Sequence, residues 1–411
     1  MPLSVLHLST YDANGGAGRA AYALHRAMVD QGVDSQMWVG RKSVDDSRVK
    51  APVSSRFKAT SVLDQQLWRL QRSEISSWRS PAYFSAITAR AINASNADVV
   101  NLHWVTDGFL SVRQIGLITK PIVWSLVDMW PFSGTEHYGG TCESPRWHQG
   151  YTRANRESKD RGLDLDRLTW NRKQRDWQRP ITFAAASTWM ADRIHESALL
   201  RDAKVVRIPH VLGSAFKPQE STTPARQRLC LPVDGPLIGF LSSAGIHDAR
   251  KGWDLVDAAL VRVRAVFPQV EVVIAGPPSP DFVPASGVRI HWLGSVENDS
   301  SLADLYSATD MTVVPSREDN MPLSAMEAQT CGRPVTAFDI GGLPDIVEHH
   351  VTGYLARPFD VDDLAQGIIE CLGDAAGEQV WGRQAASRAQ ATWSPSIVVP
   401  RYLETYAGLL P

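Results

Sequence analysis

Two carboxylates eight residues apart, Asp319 and Glu327, and a basic pair, Arg250-Lys251, are the side chains of this sequence best placed by type and spacing to do chemistry. Both acids lie in 315–345, PSREDNMPLSAMEAQTCGRPVTAFDIGGLPD. Carboxylates near a helix start are ordinarily caps or dipole partners; exposed to a ligand, they receive hydroxyl donors. A Lys-Gly pair that opens a helix after a strand suits phosphate, because the ammonium and the free helix N–H groups converge on one anion. An exposed lysine with no role is the common alternative.

The elements that must position these groups can be read from hydrophobic pattern. Residues 311–314, MTVV, form a short β-branched run that predicts a buried strand ending in a loop at Pro315-Ser316-Arg317. A helix is expected over 321–329, closed by Cys331-Gly332-Arg333-Pro334, then a strand over 334–338 and a glycine loop, Gly341-Gly342-Leu343-Pro344. Residues 236–243 predict the strand before Arg250-Lys251, and 254–266 the helix after it. Strands at 270–275 and 290–294 continue the alternation, which argues for a parallel sheet with ligands beyond the carboxyl ends of its strands.

The first half repeats the scheme. A strand at 4–8 is followed by a six-residue loop and Gly15-Gly16-Ala17-Gly18-Arg19, which opens a helix bearing Ala20, Ala21, Leu24 and Met28. Gly16-x-Gly18-x-x-Ala21 fits a dinucleotide fingerprint, but that fingerprint wants its first glycine directly after the strand, and the next strand, 35–39, leads to Gly40-Arg41-Lys42 in place of a ribose-binding acid. An NADP-dependent oxidoreductase is therefore a remote alternative. A strand over 98–104 delivers His103 at its end, where a histidine is usually a satisfied polar group. Another apolar run starts at 121 and leads through Asp128 and Trp130 to His137-Tyr138.

The string D-N-x-P-x-x-x-M-E-A at 319–328, followed by C-G-x-P-V-x-A-F-D-I-G-G, resembles the donor-site signature of retaining glycosyltransferase family 4, the polysaccharide-assembly group. The resemblance implies an α/β chain of two doubly wound Rossmann-like domains facing across a cleft, the B-type glycosyltransferase fold (GT-B). It implies transfer of a sugar from a nucleotide-sugar to a saccharide or lipid-linked saccharide, with retention. Donor-binding residues would be Gly15, Gly16, Asp319, Asn320, Met321, Pro322, Leu323 and Glu327, with Glu327 on the ribose and Asp319 on sugar hydroxyls. Lys251 and Arg250 would neutralise the departing diphosphate, and His103 matches the position of the family's active-site histidine. Asp128, Trp130, His137 and Tyr138 are acceptor-side candidates.

The chain departs from the family in three places. Val127 stands where a histidine is usual, no arginine occurs over 242–246 so that Arg250 is the available substitute, and position 319 holds aspartate in place of the commoner glutamate. The first two keep a non-catalytic sugar-binding or scaffolding member open as an alternative.

Domains are expected at 1–212 and 219–390, joined by the polar, proline-containing stretch 219–228, with a helix over 393–411 crossing back onto the first. A length of 411 residues is too great for one core, and 44% hydrophobic with 21% charged residues describes an ordinary globular chain. A formal charge of −2 gives no general pull toward nucleic acid. Four cysteines without metal-ligand spacing suit a reducing cytoplasm and no bound metal. Asp164-Leu165-Asp166 mimics a metal-binding D-x-D, but such tripeptides arise by chance and this one is expected in a solvated segment. No cofactor is implied, since a nucleotide-sugar is itself a substrate. No apolar run is long enough to span a membrane, yet 56–90, read as largely helical, carries Trp68, Arg69, Arg72, Trp78 and Arg79, a mixture suited to peripheral contact with the membrane's inner face. Ten of the fourteen tryptophans precede residue 190, as sugar stacking or plain core packing would require.

Overall fold

The computed structural model describes residues 3–73, 78–139, 145–296 and 298–410. Cys142, one of the four cysteines expected to hold no metal, lies outside them. The chain divides into two compact units, one running up to His210 and joined by Val399 onward, the other Val211–Val398.

The first unit is built on seven parallel strands: Ser4–Tyr11 (β1), Asp34–Arg41 (β2), Val49–Lys50 (β3), Val99–Leu102 (β4), Ile122–Leu126 (β5), Thr182–Ala185 (β6) and Lys204–Arg207 (β7), in the order β3-β2-β1-β4-β5-β6-β7. Their central members are apolar almost without break because helices cover both faces; β4 and β5 are buried along their whole length. The order reverses between β1 and β4, the switch point at which open α/β sheets take ligands. β1 extends three residues beyond the expected end, since Tyr11 stays in register with Arg41.

Residues 56–90 are not one long helix. The helix Ser54–Trp68 gives way to a two-residue strand, Gln71–Arg72, paired antiparallel with Arg161–Gly162, and the next helix among the described residues is Ala89–Asn93. Gly108, at φ +77°, explains the docking of the first helix: a Cβ there would lie 2.5 Å from the Thr60 backbone. The segment containing Asp164 and Asp166 is not solvated either. It folds as the helix Leu165–Asp176, and the buried Lys173 ammonium donates to the carbonyls of Trp130, Ser133 and Gly134. Trp124, Trp130, Trp147 and Trp170 are all buried, so packing accounts for much of the tryptophan bias.

The second unit has six parallel strands, Leu237–Leu241 (β8), Glu271–Ala275 (β9), Arg289–Gly294 (β10), Met311–Val314 (β11), Val335–Phe338 (β12) and Gly353–Ala356 (β13), in the order β10-β9-β8-β11-β12-β13. Its switch point falls between β8 and β11. At the end of the chain the helix expected over 393–411 is Pro395–Ala407, and a further helix, Val380–Trp393, precedes it across Ser394. The helix Pro395–Ala407 returns to the first unit, where the Tyr402 hydroxyl lies 2.9 Å from Ser125 Oγ and Tyr406 donates to Asn101 Oδ1 at 2.7 Å.

Candidate active site

At the carboxyl edge of the second sheet the chain brings two cations onto one carboxylate. After β8 it makes two short 3-10 turns, the second being Ala249–Lys251, before the helix Trp253–Val266 begins. Gly252 separates them at φ +73°, and a side chain there would collide with the Pro315 carbonyl at 2.2 Å. The turn is thereby pressed against the loop that leaves β11, and the Arg317 N–H donates to the Arg250 carbonyl at 2.7 Å. Lys251 Nζ reaches Asp319 Oδ2 at 2.6 Å, Arg250 Nη1 comes within 3.4 Å of the same oxygen, and the Ser316 hydroxyl donates to it at 3.1 Å. Burial alone would raise the Asp319 carboxyl, but the Lys251 ammonium and Arg250 guanidinium outweigh it and hold the group below its ordinary value.

The acidic pair separates in space by role. Asp319 faces the cations, whereas Glu327 lies in the second turn of the helix Leu323–Thr330, buried, with Oε2 accepting the Tyr306 hydroxyl at 2.8 Å. The expectation that both acids stand at element ends is corrected for Glu327: the helix begins at Leu323 because Pro322 precedes it in extended conformation. Asn320 and Met321 are also buried, and Leu323 is partly exposed. Gly341, at φ +56°, packs where a Cβ would meet the Asp319 carbonyl at 2.2 Å, so the glycine loop fixes the backbone of the acid. Sequence reasoning missed Ser316 and the Tyr306 hydroxyl, since serine in a loop and tyrosine on the apolar face of an amphipathic helix carry no distinguishing signal.

The first unit's switch point has a different character. Gly15 and Gly16 open the helix Gly15–Asp30 directly beyond β1, Gly15 at φ +68°, and added side chains at either would meet nothing within 4 Å. Asp12, just before them, accepts the Ala13, Ser43 and Val44 N–H groups at 2.7, 2.6 and 3.0 Å and so ties this loop to the end of β2.

His103 is only 3% exposed. Its Nε2 lies 2.9 Å from His7 Nδ1 and 3.1 Å from Asn101 Nδ2. Burial, reinforced by His210 and His25, lowers it to about 3, so it is neutral at ordinary pH. The expected active-site histidine is in this structure a bonded part of the core, and it is not a free base. Asn101, a polar residue inside an apolar strand, was the unread signal of this network.

Among the acceptor-side candidates, the structure brings Asp128 and His137 together. Asp128 Oδ2 lies 2.5 Å from His137 Nδ1, and His137 Nε2 lies 2.8 Å from Ser80 Oγ. Tyr138 next to them is half-buried. Trp130 is corrected to a core residue, with its indole N–H on the Ser80 carbonyl at 2.8 Å and the Lys173 ammonium over its ring. Arg79 likewise leaves the surface patch: it is buried and donates to Asp166 at 2.8 Å, while Trp78 remains 55% exposed. Asp164 is paired with Arg146 at 3.0 Å, so both acids of the D-x-D string already have arginine partners. Among the described residues, no group of three or more histidine, cysteine or acidic side chains is arranged to hold a metal ion, and no helix is long and apolar enough to cross a membrane.

Two Rossmann-like halves in one chain are the fold of B-type glycosyltransferases. Sucrose-phosphate synthase from Thermosynechococcus elongatus matches with a TM-score of 0.65 at 18% identity, over 99% of each chain. HepE of Anabaena, solved in complex with UDP-glucose, matches with a TM-score of 0.65 at 18% identity over 99% of this chain and 100% of its own. WaaG, a glycosyltransferase involved in lipopolysaccharide biosynthesis, gives a TM-score of 0.65 at 14% identity with the same coverage. Residues 235–374, within the second unit, match the family described as Glycosyl transferases group 1. D-inositol 3-phosphate glycosyltransferase of Mycobacterium leprae is 35% identical over 193 residues, 44% of this chain and 42% of the relative. Its counterpart from Mycobacterium tuberculosis is 33% identical over 213 residues, 48% of this chain and 42% of the relative. The chain thus spans less than half the length of these curated relatives.

Proposed function

We propose that this protein is a retaining glycosyltransferase that moves a sugar from a nucleotide-sugar to a saccharide or lipid-linked saccharide, in the synthesis of exopolysaccharide, O-antigen or glycolipid. The observation that carries this reading is the cluster of Lys251, Arg250 and Asp319 at the switch point of the second sheet, inside the group 1 domain. Arg250 also lies 3.5 Å from Asp248, so the two cations are balanced by two carboxylates in the free protein, and an incoming diphosphate would meet them by exchanging those partners. A preorganised charge of this kind is worth most where negative charge develops, on the diphosphate as the glycosidic bond breaks. The UDP-glucose complex of HepE supports a nucleotide-sugar as donor.

Retention on one face, with the leaving phosphate receiving the acceptor proton, needs charge stabilisation more than a base. A neutral, buried His103 is compatible with that scheme. A glycosidase would need two carboxylic groups flanking one bond, whereas Asp319 and Glu327 here face different partners. Asp128 and His137 are the acceptor-side groups in this reading, and Glu327 the ribose ligand. Lys251 and Arg250 supply the positive potential that a metal ion provides elsewhere, so transfer is metal-independent. We assign the enzyme to the cytoplasm, with peripheral contact at the inner membrane face through Trp68, Arg69, Arg72 and Trp78 when the acceptor is lipid-linked.

The test is a panel of nucleotide-sugars scored first by thermal stabilisation and then by release of nucleoside diphosphate with mixed glycan and glycolipid acceptors. A ligand at 100 times its Kd adds about 2.7 kcal/mol of stability, a shift readily seen. No stabilisation by any nucleotide-sugar overturns the reading. Stabilisation without release of nucleoside diphosphate favours the non-catalytic alternative, for which Val127 speaks.

A further inference from the structure

We propose that the outward face shared by the helix Ser54–Trp68 and the ribbon of Gln71–Arg72 with Arg161–Gly162 is a docking surface for an anionic lipid bilayer. The inference rests on the reading above for its membrane contact alone, and deepens it: it names the charge of the partner, adds the second strand of the ribbon, and makes the contact a property of this face whatever the acceptor. It uses no feature of the donor site.

The helix is built inside out. It buries Phe57, Thr60 and Asp64, while Val62 and Leu63 stand 56% and 48% exposed. A surface helix ordinarily turns its apolar stripe toward the core. Here the inward place is taken by the Asp64 carboxylate, which accepts the Ala82 and Tyr83 N–H groups at 3.1 and 2.9 Å, and the two aliphatic side chains are left facing out. Leu70 lies two turns on from Leu63 and is half-exposed, the last turn being closed by its N–H on the Leu67 carbonyl at 3.0 Å.

The ribbon continues this face. Side chains alternate along a strand, and Gln71 points inward, with its amide on Asp160 and Asp166 at 3.3 and 2.6 Å. Leu70 and Arg72 therefore point outward. Pairing sets Arg161 opposite Arg72, and the Leu163 N–H donates to the Leu70 carbonyl at 3.0 Å, so the half-exposed Leu163 comes alongside Leu70. Like charges directly opposite each other destabilise an antiparallel pair. Arg161 donates to the Ser158 and Asp160 carbonyls, and no carboxylate pairs with either arginine among the described residues. Arg69 is exposed next to them, and in the loop before the second strand Arg153 and Lys159 outnumber Glu157 among the exposed charges. A bilayer with an anionic surface meets both requirements: leucines enter the acyl boundary while guanidiniums take phosphate oxygens, which relieves the repulsion between Arg72 and Arg161. Trp78, exposed and sharing a hollow with Trp68 at the helix end, adds a ring suited to the headgroup layer. A second copy docked on the same face would instead set its own arginines against these.

The experiment is flotation of the full chain with vesicles of phosphatidylcholine alone and of phosphatidylcholine with about one third phosphatidylglycerol, at about 0.1 M and about 1 M salt. The wild type is expected to rise with the anionic vesicles at low salt and to stay at the bottom with the neutral ones. Arg72→Gln with Arg161→Gln lowers partitioning about thirtyfold, and Leu70→Ser with Leu163→Ser lowers it about tenfold or more. An unchanged melting temperature shows that each variant is folded, and Val62→Ser with Leu63→Ser replaces the ribbon leucines if that pair does not fold. No flotation with either vesicle overturns the inference, and so do equal flotation with neutral vesicles and a variant pair without effect. Sedimentation without lipid examines the other occupant: a dimer that Leu70→Ser with Leu163→Ser disperses makes the face an interface between copies and overturns the inference as well. Thermal stabilisation by nucleotide-sugars, read on the same protein, separates the two failures. A chain that is stabilised and does not float loses this inference alone; one that floats and is not stabilised loses the donor reading and keeps this one.

Discussion

At the switch point of the second sheet the side chains are charged: Lys251 and Arg250 share Asp319, and Arg250 also lies 3.5 Å from Asp248. At the matching point of the first sheet they are neutral and buried, with His7, Asn101 and His103 bonded to one another and to Tyr406. The order of the six strands of the second sheet repeats that of the first six strands of the first. One topology thus presents a charged cluster in one unit and a hydrogen-bonded neutral core in the other, and the difference lies in what stands at the strand ends. A charged cluster near the surface can exchange partners with a ligand. A sealed neutral network resists exchange and contributes rigidity instead.

Acidification should break this contrast most strongly. Burial, with further lowering by neighbouring histidines, holds His7 well below 6.5, and burial also lowers His25 to about 4 and His103 to about 3. The unfolded chain therefore takes up protons that the folded chain refuses, and stability present above pH 6.5 is lost progressively as pH falls toward about 4. Each fully buried imidazole costs on the order of 2 kcal/mol between pH 6.5 and about 5. Hydrogen exchange, corrected for intrinsic rate, should show protection at Ser4–Tyr11 and Val99–Leu102 collapsing before that at Leu237–Leu241. Equal loss in both sheets would contradict the assignment of neutral histidines to the first.

Lys251→Ala probes the charged side. Removing a preorganised partner for developing charge costs about 3 kcal/mol, a hundredfold or more in kcat, with donor KM changed less. Steady-state kinetics with the native donor checks this, and an unchanged rate would remove the phosphate role from Lys251.

How far both edges could be read in advance differs for a physical reason. The strands and the basic pair after β8 were legible because apolar runs, glycines and local spacing are properties of neighbouring residues. Arg79 and Trp130 looked like surface groups and are buried, and Asp166 looked solvated and is buried, because their partners lie far away in sequence: Arg79 pairs with Asp166, and Trp130 sits beneath Lys173. The Asn101 network was illegible for the same reason, its tyrosine being 305 residues distant. Ser316 was overlooked although it is close to Asp319, since nothing distinguishes a loop serine that meets a carboxylate from one that meets water.

Tyr406→Phe is the smaller test of the neutral side. It deletes a hydroxyl that donates to Asn101 at 2.7 Å and leaves the amide oxygen short of a partner, so chemical denaturation should show a loss of about 1 to 2 kcal/mol. Donor affinity should not change. Exhaustive chelation should have the smallest effect of all: an unaltered rate is expected if Lys251 and Arg250 meet the diphosphate unaided. A loss restored only by a divalent cation would return Asp164 and Asp166 to consideration.

The return of the last helix to the first unit has a consequence for how the molecule is made. Translation delivers Asn101 and Ser125 early, while Tyr402 and Tyr406 follow some 300 residues later, with 305 between Asn101 and Tyr406. At roughly 5–20 residues per second the ribosome leaves that edge of the sheet unfinished for roughly 15 to 60 s. The second unit, contiguous from Val211 to Val398, has emerged in full before its neighbour can close. A nascent chain arrested in that interval carries a finished second unit and a first unit whose Asn101 amide and Ser125 hydroxyl still lack their tyrosine partners, a state that chaperones or proteases can tell apart from the completed protein.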